Sequence, residues 1–245
     1  MALGLLDRFP PDPGPDRALR LAFDEASRRV GDAAGATVDL DAAVERLAGR
    51  MDDPVGGDLR FPPGTDTVFT AIADAAGTLC SLSTSLYDGF VSGVEVPGTG
   101  IVLHNRAAGF ALEHQVNQVG PGRRPYHTLV PAALSHGRVR AAIGFVGAFM
   151  QPQAQAQTLI RMLDQGRDPQ AAIDAPRLRV EADSAVSLEA GLTAEADGLR
   201  DLGYRVRELE PHRAGVGQFV AVDGDRLVGA SDGRHDGRAL AVADG

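Results

Sequence analysis

The side chains able to do chemistry in this chain are few and dispersed. Its six histidines are scattered, and none shows the His-Glu-x-x-His spacing that sets two imidazoles on one helical face around a metal. The single cysteine, Cys80, rules out a Cys-x-x-Cys site and an internal disulfide, and is read as a small core residue. There is no phosphate-cradling P-loop and no Gly-x-Ser-x-Gly elbow, so nucleotide binding and α/β-hydrolase chemistry have no local support. Glycines in VPGTG and SGV mark turns, which identify no ligand. No metal and no cofactor is implied. Residue types and spacing alone therefore stop at an enzyme-sized soluble domain.

The elements that would position any site follow from the pattern of the chain. With 245 residues, 44% hydrophobic and 23% charged, it is long enough to bury a sizeable core. A net charge of −9 and a pI near 5.1 work against nucleic acid and anionic membrane surfaces, which need clustered Lys and Arg. The start of the chain has no basic region leading a completed apolar run, and no apolar stretch is long enough to span a bilayer. The chain is expected to be cytoplasmic.

After the Pro-rich residues 10–15, Leu19, Ala22, Phe23, Ala26 and Val30 recur at helical spacing up to Gly31. A second helix carries Val44, Leu47, Ala48 and Met51, with Asp39 or Asp41 as its cap. Residues 52–64, DDPVGGDLRFPPG, read as a loop or linker. From Asp66 the runs TVFTAIAD and TLCSLSTS, separated by Ala75, Ala76 and Gly77, predict an antiparallel hairpin. Further strands are expected at residues 100–104 and 139–146, and a helix at 153–163 ending by Gly166. Asp168 and Pro169 open another helix, and Thr193 starts one that Gly203 ends. YRVREL and FVAVDGDRLVGA close the chain as strands. This order predicts a layered α+β domain, not a regular βαβ alternation.

Several blocks, in order, resemble the small-subunit half of the gamma-glutamyltransferase family. They are DTVFTAIADAAG, SLSTSLYDGFVSGVEVPGTGIVLHNRAAGF, GPGRRPYHTLVP, GFVGAFMQPQ, DAPRLRV and GASD. The resemblance covers roughly residues 66–232, and NRAAGF, RPYHT and FMQPQ are similar to a divergent, gamma-glutamyltransferase-like branch. It implies a four-layer αββα N-terminal-nucleophile hydrolase sandwich, incomplete on its N-terminal side. Residues 1–66 would be the remnant of a large-subunit-like segment, and 67–245 the small-subunit-like catalytic domain.

In that family a precursor cuts itself just before a threonine, whose freed amine then serves as base for its own hydroxyl. The matching bond here is Asp66–Thr67. Taken alone, Thr67 is simply a β-branched residue opening a strand. Ser85 matches the hydroxyl that steadies the nucleophile across the hairpin, and Thr84 would take that place if the register slipped by one. Gly147 and Ala148 match the paired glycines whose N–H groups hold the oxyanion, each donor being worth about 3 kcal/mol. Alanine at the second position matters if an unusual φ is needed there.

This chain also departs from the family pattern. Gly109 stands where typical members carry an acid that grips the substrate's α-amine, Tyr87 replaces an asparagine, and His127 with Thr128 replaces paired serines that hold the α-carboxylate. Arg106 and His127 would favour an acidic acyl group, although a surface arginine and a structural histidine are the commoner readings. The implied activity is a gamma-glutamyltransferase-like amide hydrolase or acyltransferase working through an acyl-threonine. The alternatives are a glutaryl- or cephalosporin-type acylase, or a catalytically silent fragment or subunit. The expected partners are a small amide and either a missing large subunit, Met1 then being internal to a longer precursor, or a second protomer.

Overall fold

The computed structural model describes residues 1–8, 15–32, 38–54, 59, 66–89, 92–113 and 116–242. Most of the linker expected at 52–64, and the Pro-rich residues 10–14, lie outside them. The chain divides into two compact units. The first comprises Met1–Pro63, Asn105–His127 and Leu178–Leu209, and the second Gly64–His104, Thr128–Arg177 and Glu210–Gly245.

The first unit begins with three helices, α1 (Ala2–Leu6), α2 (Asp16–Arg29) and α3 (Leu40–Ala48). Helix α2 has no Gly or Pro in its interior, an acid in its first turn and Arg28 and Arg29 in its last, which complements the helix dipole. Of the two cap candidates for α3, Asp39 is the one that acts, its carboxylate accepting the Ala42 N–H at 3.0 Å. Leu5, Ala18, Val44 and Leu47 close a small core between the helices.

The same unit holds strands β7 (Leu178–Val180), β8 (Ala185–Leu188) and β9 (Arg205–Glu208), with β8 antiparallel to β7 and parallel to β9. Helix α6 (Ala196–Asp201) precedes β9 and follows a 3-10 segment, Ala190–Glu195. The helix expected from Thr193 is therefore 3-10 at its start, and Gly203, at φ +91°, ends it. Strands β7 and β8 escape sequence reading because, at three and four residues, they are too short to show a period.

One buried acid in this unit has a measurable consequence. Asp16 is fully buried and neither carboxylate oxygen has a well-formed hydrogen bond, although the Tyr204 hydroxyl lies beside it. Burial pushes its pKa from 3.8 up to about 6. Because the folded value lies above the unfolded one, the stability contributed by the neutral acid is fully present below pH 3.8 and lost as pH rises through about 6. Asp16→Asn should therefore stabilise the protein by about 2–3 kcal/mol at pH 7.5 and by little near pH 3.5. Urea unfolding of both proteins at the two pH values measures this. An equal difference at both would show that the carboxylate is not the cause.

The second unit is built on a four-stranded antiparallel sheet ordered β11-β10-β6-β5, from β5 (Ala132–His136), β6 (Val139–Val146), β10 (Val216–Asp223) and β11 (Arg226–Ser231). Helices α4 (Met150–Leu163) and α5 (Pro169–Asp174) pack on β6 and β11. Asp168 caps α5 as expected, accepting from Gln170 N at 2.9 Å. Ile143, Phe145, Phe219 and Ala221 join Met150, Ala154, Leu159 and Ile173 in one core.

The predicted hairpin, β1 (Asp66–Ala73) and β2 (Leu79–Tyr87), forms a two-stranded ribbon that packs on β6 and β10. Contact is close because β6 carries Gly144 there: a Cβ at that position would lie 2.3 Å from the Phe69 ring. A small two-stranded sheet, β3 (Glu95–Val96) with β4 (Ile101–Val102), completes the unit.

This unit thus shows helix, sheet and ribbon layers of an α+β sandwich. The outer face of the ribbon is open: Val68, Ile72 and Leu82 are 65%, 53% and 52% exposed, in register with Thr84, Cys80 and Thr70. Cys80 is accordingly exposed and not a core residue. Strand alternation sends it outward with Leu82, while Ser81, Ser83 and Ser85 take the other face.

Candidate active site

The ribbon register decides which hydroxyls meet. Thr67 pairs with Ser85 and Asp66 with Tyr87, which leaves Leu86 as a bulge on β2. The Asp66 carboxylate takes up the bulge, its Oδ2 accepting the Leu86 N–H at 3.2 Å. Thr84 pairs with Val68 on the outward face, so Ser85 is the hydroxyl placed opposite Thr67.

Three polar groups then converge on one oxygen. Thr67 Oγ1 donates to Ser85 Oγ at 3.2 Å, and the Tyr87 N–H donates to it at 2.9 Å. Ser85 Oγ in turn donates to the Asp66 carbonyl oxygen at 2.5 Å. A hydroxyl has one donor and two acceptor lone pairs, and Ser85 uses all three. The nucleophile candidate and the carbonyl of the bond just before it are therefore bridged by one side chain. Tyr87 adopts φ +82°, a left-handed value uncommon for a bulky residue, and its side chain is buried. The strain falls at the bulge that brings the Tyr87 N–H onto Ser85.

Gly147 and Ala148 form the turn between β6 and α4, with φ +117° and +51°. The Gly147 carbonyl accepts the Met150 N–H at 2.9 Å, so the Ala148 N–H, in the same trans peptide plane, points the opposite way. Alanine tolerates the left-handed region at about 1–2 kcal/mol. Ala148→Gly should remove that cost, partly offset by glycine's greater freedom when unfolded, for a gain of about 0.5 kcal/mol in urea unfolding. A loss instead would mean that the Ala148 methyl makes a stabilising contact.

The turn is braced from behind. A Cβ on Gly147 would lie 3.2 Å from the Gly215 Cα, and one on Gly215 would lie 2.9 Å from the Val146 carbonyl. Arg177, fully buried, donates to the carbonyls of Ala214 and Gly215 at 3.0 and 2.8 Å and to Asp232 Oδ2 at 2.6 Å. Burial raises the Asp232 pKa, but the Arg177 and Arg234 guanidiniums outweigh it and hold the carboxyl below its ordinary value. The blocks DAPRLRV and GASD thus contain the two halves of a buried ion pair. Their pairing is invisible in the sequence because 55 residues separate them.

The remaining site candidates divide between the units. Thr128 is buried in the second unit, ahead of β5. Arg106 and His127 belong to the first unit. Arg106 is only 4% exposed, so it is not a surface arginine, and His127 is exposed and no core histidine. Gly109 ends the 3-10 turn Arg106–Gly109, and Asn117 ties that turn to the segment before His127. Its Nδ2 donates to the Gly109 carbonyl and its Oδ1 accepts the Tyr126 N–H, both at 2.7 Å. Nothing in the spacing of Asn117 signals this role. Among the described residues no cluster of His, Cys, Asp and Glu could hold a metal ion, and no helix is long and apolar enough to cross a membrane.

Comparison with known proteins adds three findings. The gamma-glutamyltranspeptidase family model matches residues 17–242. Among curated proteins, the chain is 33% identical over 242 residues to the glutathione hydrolase-like YwrD proenzyme of Bacillus subtilis, covering 92% of this chain and 46% of that protein. It is 36% identical over 213 residues to the oxamate amidohydrolase proenzyme of Klebsiella pneumoniae, covering 80% and 40%. Among solved structures, it resembles the cephalosporin acylase of Bacillus halodurans with a TM-score of 0.81 at 33% identity, over 94% of this chain and 44% of that one. The chain therefore spans less than half the length of these relatives.

Proposed function

The chain belongs to the gamma-glutamyltranspeptidase family, and from that premise we propose that it is a threonine N-terminal-nucleophile amide hydrolase or acyltransferase. The observation that carries this reading is the Thr67–Ser85–Asp66 bridge. In the uncut chain, Thr67 Oγ1 attacks the Asp66 carbonyl carbon while the Ser85 O–H stabilises the charge growing on its oxygen. The Thr67 hydroxyl proton passes to the Thr67 nitrogen as the C–N bond breaks, the amide becomes an ester, and water hydrolyses the ester to leave the terminal α-carboxylate of Asp66 and a free Thr67 amine with the hydroxyl restored.

That amine then takes the proton of Thr67 Oγ1, which attacks a substrate amide carbonyl. The N–H groups of Gly147 and Ala148 receive the oxyanion. The leaving amine departs with the proton, and water or an acceptor amine releases the acyl group. Apart from water or the acceptor amine, both steps use only groups of this chain and of the substrate.

Acyl-group preference follows from Tyr87, Gly109, His127 and Thr128, which supply neither the acid nor the paired hydroxyls that would grip a glutamyl head group. Similarity to a cephalosporin acylase supports the same direction. A glutaryl anilide should be turned over about tenfold faster than the γ-glutamyl anilide at equal concentration, because the extra ammonium would be buried without a partner. The reverse order would refute this specificity while leaving the nucleophile assignment intact.

The open ribbon face supports a companion covering Val68, Ile72 and Leu82. Since the relatives are about twice as long, that companion is the remainder of a family-length protein or a second protomer. Co-expression with such a segment should raise the melting temperature and abolish hydrophobic-dye binding. Unchanged dye binding would reject it.

A further inference from the structure

Thr67 supplies the attacking oxygen, but its target is the carbonyl of Asp66, whose orientation the ribbon has to fix. A regular antiparallel ladder would hold that carbonyl the wrong way. Ladder carbonyls lie in the plane of the strands while side chains stand off it, so a β1 carbonyl and the Ser85 hydroxyl would point in different directions. The register shift between Asp66 and Thr67 breaks the rule. Thr67 stays opposite Ser85, but Asp66 is carried past Leu86 to face Tyr87, and its carbonyl oxygen comes within 2.5 Å of Ser85 Oγ.

A bulge leaves one residue outside the ladder, and its N–H needs another acceptor. Leu86 is that residue, and the acceptor is the Asp66 carboxylate, with Oδ2 at 3.2 Å. Asp66 therefore grips β2 twice, by its side chain at Leu86 and by its main chain at Ser85. Two anchors on consecutive residues restrict rotation of the carbonyl, which one alone would leave free to swing. Tyr87 does not stabilise the bulge by itself, because it sits in the left-handed region at φ +82° and its N–H is used on Ser85 Oγ. The competing arrangement is a regular ladder with residue 66 opposite Leu86, which relieves the Tyr87 backbone and withdraws the carbonyl from Ser85.

We infer that the Asp66 side chain is a positioning residue for the cut at its own carbonyl, holding the bulge in which that carbonyl meets Ser85. The inference rests on Thr67 as the nucleophile. What it requires at residue 66 is an acceptor oxygen and not a charge. Thr67 Oγ1 directs its proton to Ser85 Oγ, and Asp66 Oδ2 is engaged by the Leu86 N–H, so the carboxylate holds the strand and takes no proton. Asparagine offers an equivalent side-chain acceptor, whereas alanine and leucine offer none.

Intact-mass time courses of the full chain, wild type beside Asp66→Asn, Asp66→Ala and Asp66→Leu, test this. Asp66→Asn should cut between residues 66 and 67 within about threefold of the wild-type rate, and Asp66→Ala and Asp66→Leu about 10- to 100-fold more slowly, the scale of a misplaced reacting group. In the uncut Thr67→Ala background, the Leu86 amide should exchange with deuterium faster with Asp66→Ala than with Asp66→Asn. Wild-type speed in Asp66→Ala overturns the role, as does equal Leu86 exchange in the two variants. So does Asp66→Asn cutting as slowly as Asp66→Ala, which would give the charge the part assigned here to the oxygen. A wild type that never cuts overturns the nucleophile reading and this role together, whereas any of the other results beside a cutting wild type overturns this role alone. Should Asp66→Ala fail to fold, Asp66→Leu decides, because it keeps the branched outline of the side chain without an acceptor.

Discussion

Thr67→Ala is expected to remain a single chain under conditions in which the unaltered protein separates into residues 1–66 and 67–245. The expectation rests on geometry already in place: Thr67 Oγ1 hydrogen-bonds Ser85 Oγ, which bonds the Asp66 carbonyl oxygen. Alanine removes the attacking atom without disturbing the backbone pairing of Thr67 with Ser85. Thr67→Ser keeps the hydroxyl and should still cut. Any amide turnover should fall in Thr67→Ala by a factor on the order of 10⁶, the scale set by removing a covalent nucleophile. Intact-mass measurement after incubation, followed by N-terminal sequencing of the larger piece, reads the outcome. Cleavage persisting in Thr67→Ala, or mapping to another bond, would reject Thr67 as nucleophile. A wild-type chain that never cuts would favour a silent subunit.

Gly147→Ala should damage both the stability of the second unit and the turn at the head of α4. At φ +117° the position lies outside the left-handed region that an L-residue tolerates. The added Cβ would also press on the Gly215 Cα at 3.2 Å and the Met150 Cβ at 3.3 Å, of which the first is backbone. Backbone strain of about 1–3 kcal/mol together with overpacking of similar size predicts a loss of about 3 kcal/mol in urea unfolding. On the proposed oxyanion role, turnover should fall about 10²–10³-fold through kcat, since such donors act only on the developing charge. A change confined to KM would remove the turn from the oxyanion role. Ala148→Gly, one residue away, moves stability in the opposite direction, so the pair separates conformational strain from general fragility.

Much of this arrangement was legible in the sequence, for identifiable reasons. The hairpin was readable because β-branched and small residues alternate on both sides of Ala75, Ala76 and Gly77. Helix α2 was readable because its apolar residues keep a strict helical period. The choice between Ser85 and Thr84 was not, since it turns on the Leu86 bulge, and a bulge depends on how two strands settle. The fate of Cys80 depended on which ribbon face the four-stranded sheet covers, which composition does not state. Helix α4 starts at Met150, three residues before its expected start, because Pro152 fits the first turn and the Gly147–Ala148 turn supplies the entry. Arg106 and His127 exchanged their expected exposures. Each is set by packing around irregular segments that carry no periodic signal.

The division of the chain into units changes what a cut between residues 66 and 67 would mean. The first unit is woven from both sides of that bond, since it combines residues 1–63 with 105–127 and 178–209. Leu59 N donates to Ala182 O at 2.6 Å, Arg20 reaches the Asp183 carbonyl at 3.0 Å, and Asp16 is buried beside Tyr204. Hydrolysis would therefore nick the molecule without releasing a piece. A native separation would show one species and a denaturing gel two. Renaturation would change reaction order: the intact chain recovers at a rate independent of dilution, whereas the nicked one must first find its other half. Its yield then falls with concentration, and the information to refold is shared between two strands of polypeptide.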